Sequence, residues 1–225
     1  MSDATGERFQ GEALAKLKLA AEEAAWLTGR GYATERVIDL VASHHALDAA
    51  ERVAVARGIC SEPQYRRRAA REMMDEDVMK RPLAIDALDL LSTLSAAVGQ
   101  RWLLARIDGS YALLDEAPPL EAKEIDLALT RVAAAFKDLK PSKVVFYVRE
   151  GTPEAGLAKD RITAGAKAWK AATTVELAVD PSKPLKKAAG AVSSDADVLD
   201  ACPTWFNLAG YVIGRMESVR ALRLL

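Results

Sequence analysis

The sequence predicts an α/β protein: an N-terminal all-helical domain, residues 1–80, packed on a C-terminal α/β domain, residues 81–225, with a mostly parallel sheet. Three observations carry this. Before Pro82, apolar residues recur at helical spacing and no strand-like run occurs. After Pro82, short apolar runs ("PLAID", "KVVFYV", "TTVELAV", "GAVSS") alternate with amphipathic helical stretches, the pattern of right-handed βαβ crossovers. Half of the 225 residues are hydrophobic, enough for a sizeable core.

In chain order, Leu14, Leu17, Ala21, Ala24 and Ala25 predict a first helix from about Glu7 to Leu27, broken by "GRGY". Thr34 is placed to cap a second helix with Val37, Ile38, Leu40 and Val41 on its buried face. Asp48 followed by Glu51 reads as a capping box opening a third helix, which Gly58 ends. A fourth helix is expected over Gln64 to Met79, and a short linker around Lys80 to Pro82. "PLAID" then reads as a strand, followed by a helix over Ala87–Val98. "RWLLARI" (101–107) is strand-like, with "DGS" as a turn and "YALL" as a hairpin partner. A helix over Glu121–Leu139, the strand Lys143–Val148 and a helix over Pro153–Lys170 follow. The strand Thr173–Val179, the turn "DPSKP", a short helix, the strand "GAVSS" and a last helix from about Thr204 to Met216 complete the series.

Composition excludes several function classes. A net charge of −1 and a pI near 6.2 give no global attraction to nucleic acid or anionic membrane. No apolar run approaches the ~20 residues of a spanning helix, and the polar start "MSDATGERFQ" lacks a signal-peptide core, so a soluble cytoplasmic protein is expected. Cys60 and Cys202 offer neither a disulfide framework nor a zinc knuckle. His44 and His45 are the only histidines, so a hydrolase triad or a histidine-rich zinc site in the second domain is excluded, and a surface or loop role is the ordinary reading for both. No phosphate loop of Walker or dinucleotide type occurs.

Open parallel sheets bind ligands outside the carboxyl ends of their strands, where strand order reverses. Each proposed strand is closely followed by a carboxylate: Asp86 and Asp89, Asp108, Glu150 (after Arg149), Asp180, and Asp195 with Asp197. Taken singly, each aspartate is best explained as a helix cap or turn former, Asp180 and Asp108 above all. Convergent on one rim, they match a hard divalent cation, which takes oxygen ligands and keeps waters. The helical part carries Arg52, Arg57, Arg66, Arg67, Arg68 and Arg71 against the single acid Glu62, a candidate phosphate grip or simply a solvated helix face.

These residues bear a family resemblance. "AWLTGRGYATERVIDLVASHHALDAAERVAVARGICS" resembles an uncharacterised helical domain, domain-of-unknown-function family four-three-four. "AIDALDLL", "LLARIDGSYALLD" and "SSDADVLDACPTWFNLAGYVI" resemble the motifs of a PIN/NYN-like nuclease-fold domain that commonly follows it. The resemblance spans about Leu14 to Ile213 and implies Asp86 and Asp195 as the two acids of adjacent central strands, Asp108 as a third, and Trp205 and Asn207 as structural. The chain departs from the pattern at Ala87 and Asp89, at Leu114-Asp115, and at Arg149, which stands where an acid is expected, beside Glu150.

The sequence thus predicts a metal-dependent nuclease or phosphodiesterase acting on RNA with little sequence specificity. Asp86 and Asp195 hold Mg²⁺ or Mn²⁺ and are the catalytic pair, with Asp89, Asp108, Glu150 and Asp197 as auxiliary ligands or water-orienting groups. The six arginines bind the nucleic-acid backbone. The alternatives are a binding or scaffold module of the same fold, disarmed by an ion pair from Arg149, and a small-nucleotide binder or phosphatase.

Overall fold

The computed structural model of the protein describes residues 9–114 and 119–225. Its N-terminal part is built from α1 (Gly11–Gly29), α2 (Thr34–His44), α3 (Ala49–Gly58), α4 (Glu62–Ala69) and the single turn α5 (Asp75–Val78). The expected start of the first helix at Glu7 lies outside the described residues. The Asp48–Glu51 capping box forms: Asp48 Oδ1 accepts from the Glu51 N–H, and Glu51 Oε2 from the Asp48 N–H. Thr34, expected as a cap, is instead the first helical residue, after an uncapped Ala33.

The second part alternates strand and helix. It runs β1 (Pro82–Asp86), α6 (Ala87–Val98), β2 (Leu103–Ala105), β3 (Tyr111–Leu113), α7 (Ala122–Leu139), β4 (Lys143–Arg149), α8 (Ala155–Ala166) and β5 (Ala172–Ala178). It ends with α9 (Ser182–Leu185), β6 (Ala189–Val192), α10 (Ala196–Ala201), β7 (Thr204–Trp205), α11 (Leu208–Ile213) and β8 (Ala221–Arg223). Five strands form a parallel sheet in the order β5-β4-β1-β6-β7. The chain leaves β1 toward β4 and β5, then crosses to β6 and β7 on the other side, so strand order reverses between β1 and β6. Pro82–Asp86 pairs with Lys143–Tyr147, and Ala84–Ile85 with Ala191–Val192.

Burial follows the two-residue period of the strands. Leu83, Ile85, Val144, Phe146 and Val148 face a core shared with α6, α7, α8 and α11. Ala84 and Tyr147 face the opposite layer, where Leu185, Val198, Leu199, Cys202 and Trp205 pack. Gly190 has φ +95°, and a Cβ there would stand 2.6 Å from the Pro82 carbonyl, so only glycine lets β6 lie this close to β1.

"RWLLARI" is a strand followed by the expected hairpin, but it does not join the parallel sheet. β2 and β3 pair antiparallel and β8 adds in parallel to β2, forming a separate three-stranded sheet. Leu103 enters the sheet core, while Leu104, Ala112, Leu222 and Leu224 enter the core of the helical part. The small sheet is therefore the layer between the two halves.

Two expected helices are broken by one contact. The Met73 N–H donates to the Trp205 carbonyl and the Trp205 N–H to the Arg71 carbonyl, so Glu72 forms a parallel bridge with Trp205. This divides the helix expected over 64–79 into α4 and α5. It also converts the start of the helix expected over 204–216 into β7, which leaves only α11. The added backbone covers β7, an otherwise open sheet edge.

The halves are locked by Arg68. Its side chain is 1% exposed; Nη1 donates to Asp108 Oδ2 at 2.5 Å and Nε to Asp200 Oδ1 at 2.8 Å. The Trp205 indole donates to its carbonyl at 2.8 Å. Removing one member of a buried ion pair leaves the other charged, desolvated and unpaired. Arg68→Met is therefore expected to destabilise the fold by about 3–5 kcal/mol in urea unfolding. Arg66→Ala, which breaks only the exposed pair with Glu62, leaves the midpoint nearly unchanged. Equal effects from the two would show that Arg68 does not lock the halves.

Candidate functional site

Asp86 is the last residue of β1, and its Oδ1 accepts the Asp89 N–H at 3.2 Å, capping α6. Asp89 stands one turn into α6, pointing back across the sheet. Its Oδ2 accepts the Ser194 N–H and its Oδ1 the Ser194 hydroxyl, both at 2.5 Å. This clamps the start of α6 to the end of β6, where strand order reverses. Asp195 follows at the exposed mouth and caps α10 through the Asp197 N–H at 2.8 Å.

A cation completes the wall. Arg106 follows β2, is 9% exposed, and is held by three bonds. Nε donates to the Arg57 carbonyl at 2.6 Å, and Nη1 to the Ser194 carbonyl at 2.5 Å and to the Ser110 hydroxyl at 3.3 Å. Asp86, Asp89, Asp195, Arg106 and Arg57 line one open cleft of about 550 Å³ between α3, the small sheet and the carboxyl end of the parallel sheet. The unused oxygens of Asp86 and Asp195, and Arg106 Nη2, have no hydrogen-bond partner among the described residues.

The electrostatics separate this rim from the structural aspartates. Burial, then the neighbouring charge of Asp89, pushes the Asp86 carboxyl up to about 7, against the Asp89 N–H bond and the more distant Arg149; Asp195 adds to the rise. Burial raises Asp89 as well, outweighing its two bonds from Ser194. Asp108 and Asp200 go the other way. Against the pull of burial, Ser110 and Arg68 hold Asp108 below the usual carboxylate range, and Arg68 and Gln64 do the same for Asp200.

Of the residues chosen from sequence, the structure gathers Asp86, Asp89 and Asp195. Asp108 is a correction: it is buried against Arg68 because β2 lies in the second sheet, so it does not reach the rim. Glu150 is exposed on the turn after β4 and does not line the cleft. Asp197 points to solvent, 3.7 Å from Lys186. Arg149 turns to the Val179 carbonyl and to Asp180, and among the described residues it forms no ion pair with Asp86 or Asp195. Asp115 lies outside the described residues.

The arginine cluster disperses. Arg68 is consumed by Asp108 and Asp200, and Arg71 donates to the Asp200 and Cys202 carbonyls. Arg52 pairs with Asp39, Arg66 pairs with Glu62, and Arg67 is exposed. Arg57 alone of the six lines the cleft. Trp205 and Asn207 are structural: Trp205 is buried, and Asn207 caps α11 and donates to the Gly109 carbonyl.

Arg106 was missed, although an arginine set among Leu104, Ala105 and Ile107 is a legible sign of a buried cation. Neither cysteine offers a thiolate at neutral pH. Both are free and buried, and burial pushes Cys60 up to about 11 and raises Cys202. Among the described residues, no helix is long and apolar enough to cross a membrane.

Residues 75–211 match the family model described as Domain of unknown function (DUF5616), and residues 16–71 match Protein of unknown function (DUF434). Comparison with the curated proteins and with the solved structures gives no match.

The raised Asp86 carboxyl has a measurable consequence for the metal-free protein. Between about 4 and about 7 the folded chain holds a proton that the unfolded chain releases, so stability falls as pH rises through this window. Asparagine caps as well as aspartate and carries no charge. The Tm of Asp86→Asn minus that of the wild type is therefore expected to be larger at pH 8 than at pH 5. A difference independent of pH would contradict the assigned shift.

Proposed function

The chain belongs to the family described as Domain of unknown function (DUF5616), and we propose that it is a metal-dependent phosphodiesterase of PIN/NYN-like fold acting on RNA. The observation that carries this reading is the meeting of Asp86, Asp89 and Asp195 in one cleft at the reversal of strand order. The strand order itself supports it, with β1 central and the two aspartate-ended strands adjacent.

The donor set fits Mg²⁺ or Mn²⁺. Asp86 and Asp195 each spend one oxygen on a helix cap and keep the other for the cleft. Among the described residues, no three carboxylates of the rim bring their oxygens within 4.8 Å of one another, so an ion here would take one or two carboxylates and complete its shell with water and phosphate. When bound, such an ion polarises a phosphodiester and acidifies a water. The remaining chemistry belongs to the protein. Asp86, whose carboxyl is raised by burial and by Asp89 in the metal-free chain, is the group a bound cation would stabilise most in its charged form. Asp89 holds the Ser194 backbone, and through it the position of Asp195. Arg106 and Arg57 supply fixed positive charge for a phosphate.

One observation favours a second reading, a non-catalytic binding module. Both oxygens of Asp89 are committed to Ser194, and Arg106 already supplies a positive charge to the wall. A Mn²⁺ titration separates the two. Binding abolished by Asp86→Asn supports the enzyme, and absence of binding supports the module.

The direct test is cleavage of a single-stranded RNA oligonucleotide with Mg²⁺ or Mn²⁺. Asp86→Asn and Asp195→Asn are each expected to lower the rate by about a hundredfold or more. Arg57→Ala weakens RNA binding and reduces its salt slope by about one ion. Absence of cleavage in the wild type, or full activity in the double Asn variant, would refute the proposal.

A further inference from the structure

The chain's two histidines do not stand apart in a loop. Among the described residues, the one group of three potential ligands with donor atoms all within 4.8 Å of one another is Glu23, His44 and His45. It lies in the helical part and shares no residue with the cleft.

Local backbone geometry builds this cluster. Adjacent side chains of a continuing helix diverge by about 100° and cannot share one ion easily. Here α2 ends at His44; His45 is the C-cap, and Ala46 turns the chain in the left-handed region at φ +48°. The two rings therefore lie edge to face with centroids 4.8 Å apart. α1 packs beside α2 and presents Glu23, whose Oε2 is 2.7 Å from His45 Nε2. The His45 side chain is only 10% exposed, whereas His44 is open to solvent. One ligand is thus held in place by packing and one is free to swing.

We propose that Glu23, His44 and His45 form a binding site for a borderline divalent cation of the Zn²⁺ class, with one coordination position open to solvent. Two imidazoles and one carboxylate form a donor set that zinc uses in sites with three protein ligands. Imidazole nitrogen selects this class over Mg²⁺ and Ca²⁺, which take oxygen ligands. Bonds of about 2.0–2.1 Å in a tetrahedral site set ligand atoms about 3.3 Å apart, so small side-chain rotations bring donor atoms already within 4.8 Å of one another onto one ion. The 2.7 Å contact between Glu23 and His45 opens modestly to admit the ion. The site is separate from the proposed Mg²⁺ or Mn²⁺ site at Asp86 and Asp195, and neither depends on the other.

The test is isothermal titration of the full, untagged, chelator-stripped chain with Zn²⁺ in the presence of excess Mg²⁺. One Zn²⁺ per chain is expected, with affinity lowered more than about 100-fold by Glu23→Gln or His44→Ala, beyond the loss typical of an outer-shell change. Asp86→Asn and Asp195→Asn leave it unchanged. His44 is exposed, so His44→Ala retains the wild-type Tm in the metal-free state. Co²⁺ substitution gives the visible absorption of a four-coordinate site in the wild type and not in His44→Ala. No Zn²⁺ binding, or binding that survives in His44→Ala, overturns the proposal and leaves Glu23–His45 as a simple ion pair.

Discussion

A single buried guanidinium holds the two halves of this protein in register. Arg68 comes from the last full helix of the N-terminal part, and both of its carboxylate partners come from the other half. Desolvating such a group is unfavourable unless its charge and donors are satisfied. Asp108 and Asp200 satisfy it, and its own carbonyl accepts the Trp205 indole. The next residues run beside β7 as an additional edge. Because Asp108 sits on the turn after β2, the pair also fixes where that turn lies. Arg106 stands two residues before Asp108, and its guanidinium reaches the Ser194 carbonyl at the reversal of the parallel sheet. The lock and the cleft are thus joined through one short turn.

The same network explains why carboxylates close in space behave oppositely. Asp108 and Asp200 have a guanidinium in direct contact, and their carboxyls are held down. Asp86 and Asp89 are partly buried with no cation bonded to either, and their carboxyls are raised. Arg106, the buried arginine beside this second cluster, spends its bonds on two backbone carbonyls and Ser110 rather than on the carboxylates, so neither Asp86 nor Asp89 has a bonded cation. Like-charge carboxylates in a cleft are where a metal ion or phosphate-bearing ligand makes the largest electrostatic difference.

Sequence patterns made the parallel sheet legible because each central strand is a compact apolar run with a sharp polar end. "PLAID" and "GAVSSD" put Asp86 and Asp195 at the ends of neighbouring strands for that reason. The same rule misplaced Asp108, since periodicity identifies a strand and says nothing of the sheet it joins. β8 escaped notice because it is three residues long and pairs with a strand more than a hundred residues away. The arginine cluster misled because closeness along the chain is not closeness in space. Arg66, Arg67 and Arg68 are consecutive on one helix, so successive turns of about 100° send Arg68 inward while Arg66 and Arg67 face water. The broken helices share a cause that helix propensity cannot express: the pairing of residues 71–73 with Trp205, a tertiary contact.

Ser194 shows how little freedom the rim retains. Its N–H and hydroxyl both go to Asp89, and its carbonyl accepts from Arg106. Every polar group of this residue is used, and each bond runs to a different layer from its own strand. The preceding Ser193 hydroxyl accepts the Asp195 N–H and so fixes the first residue of the next helix. The serine pair after β6 is therefore the joint at which the sheet, α6 and the small sheet meet. A cleft built on such a joint keeps its carboxylates at set positions without a bound ligand. Its geometry is then decided by the backbone at 193–195 and by Arg106, so Arg106 acts on the carboxylates chiefly by positioning Ser194 rather than by pairing with them.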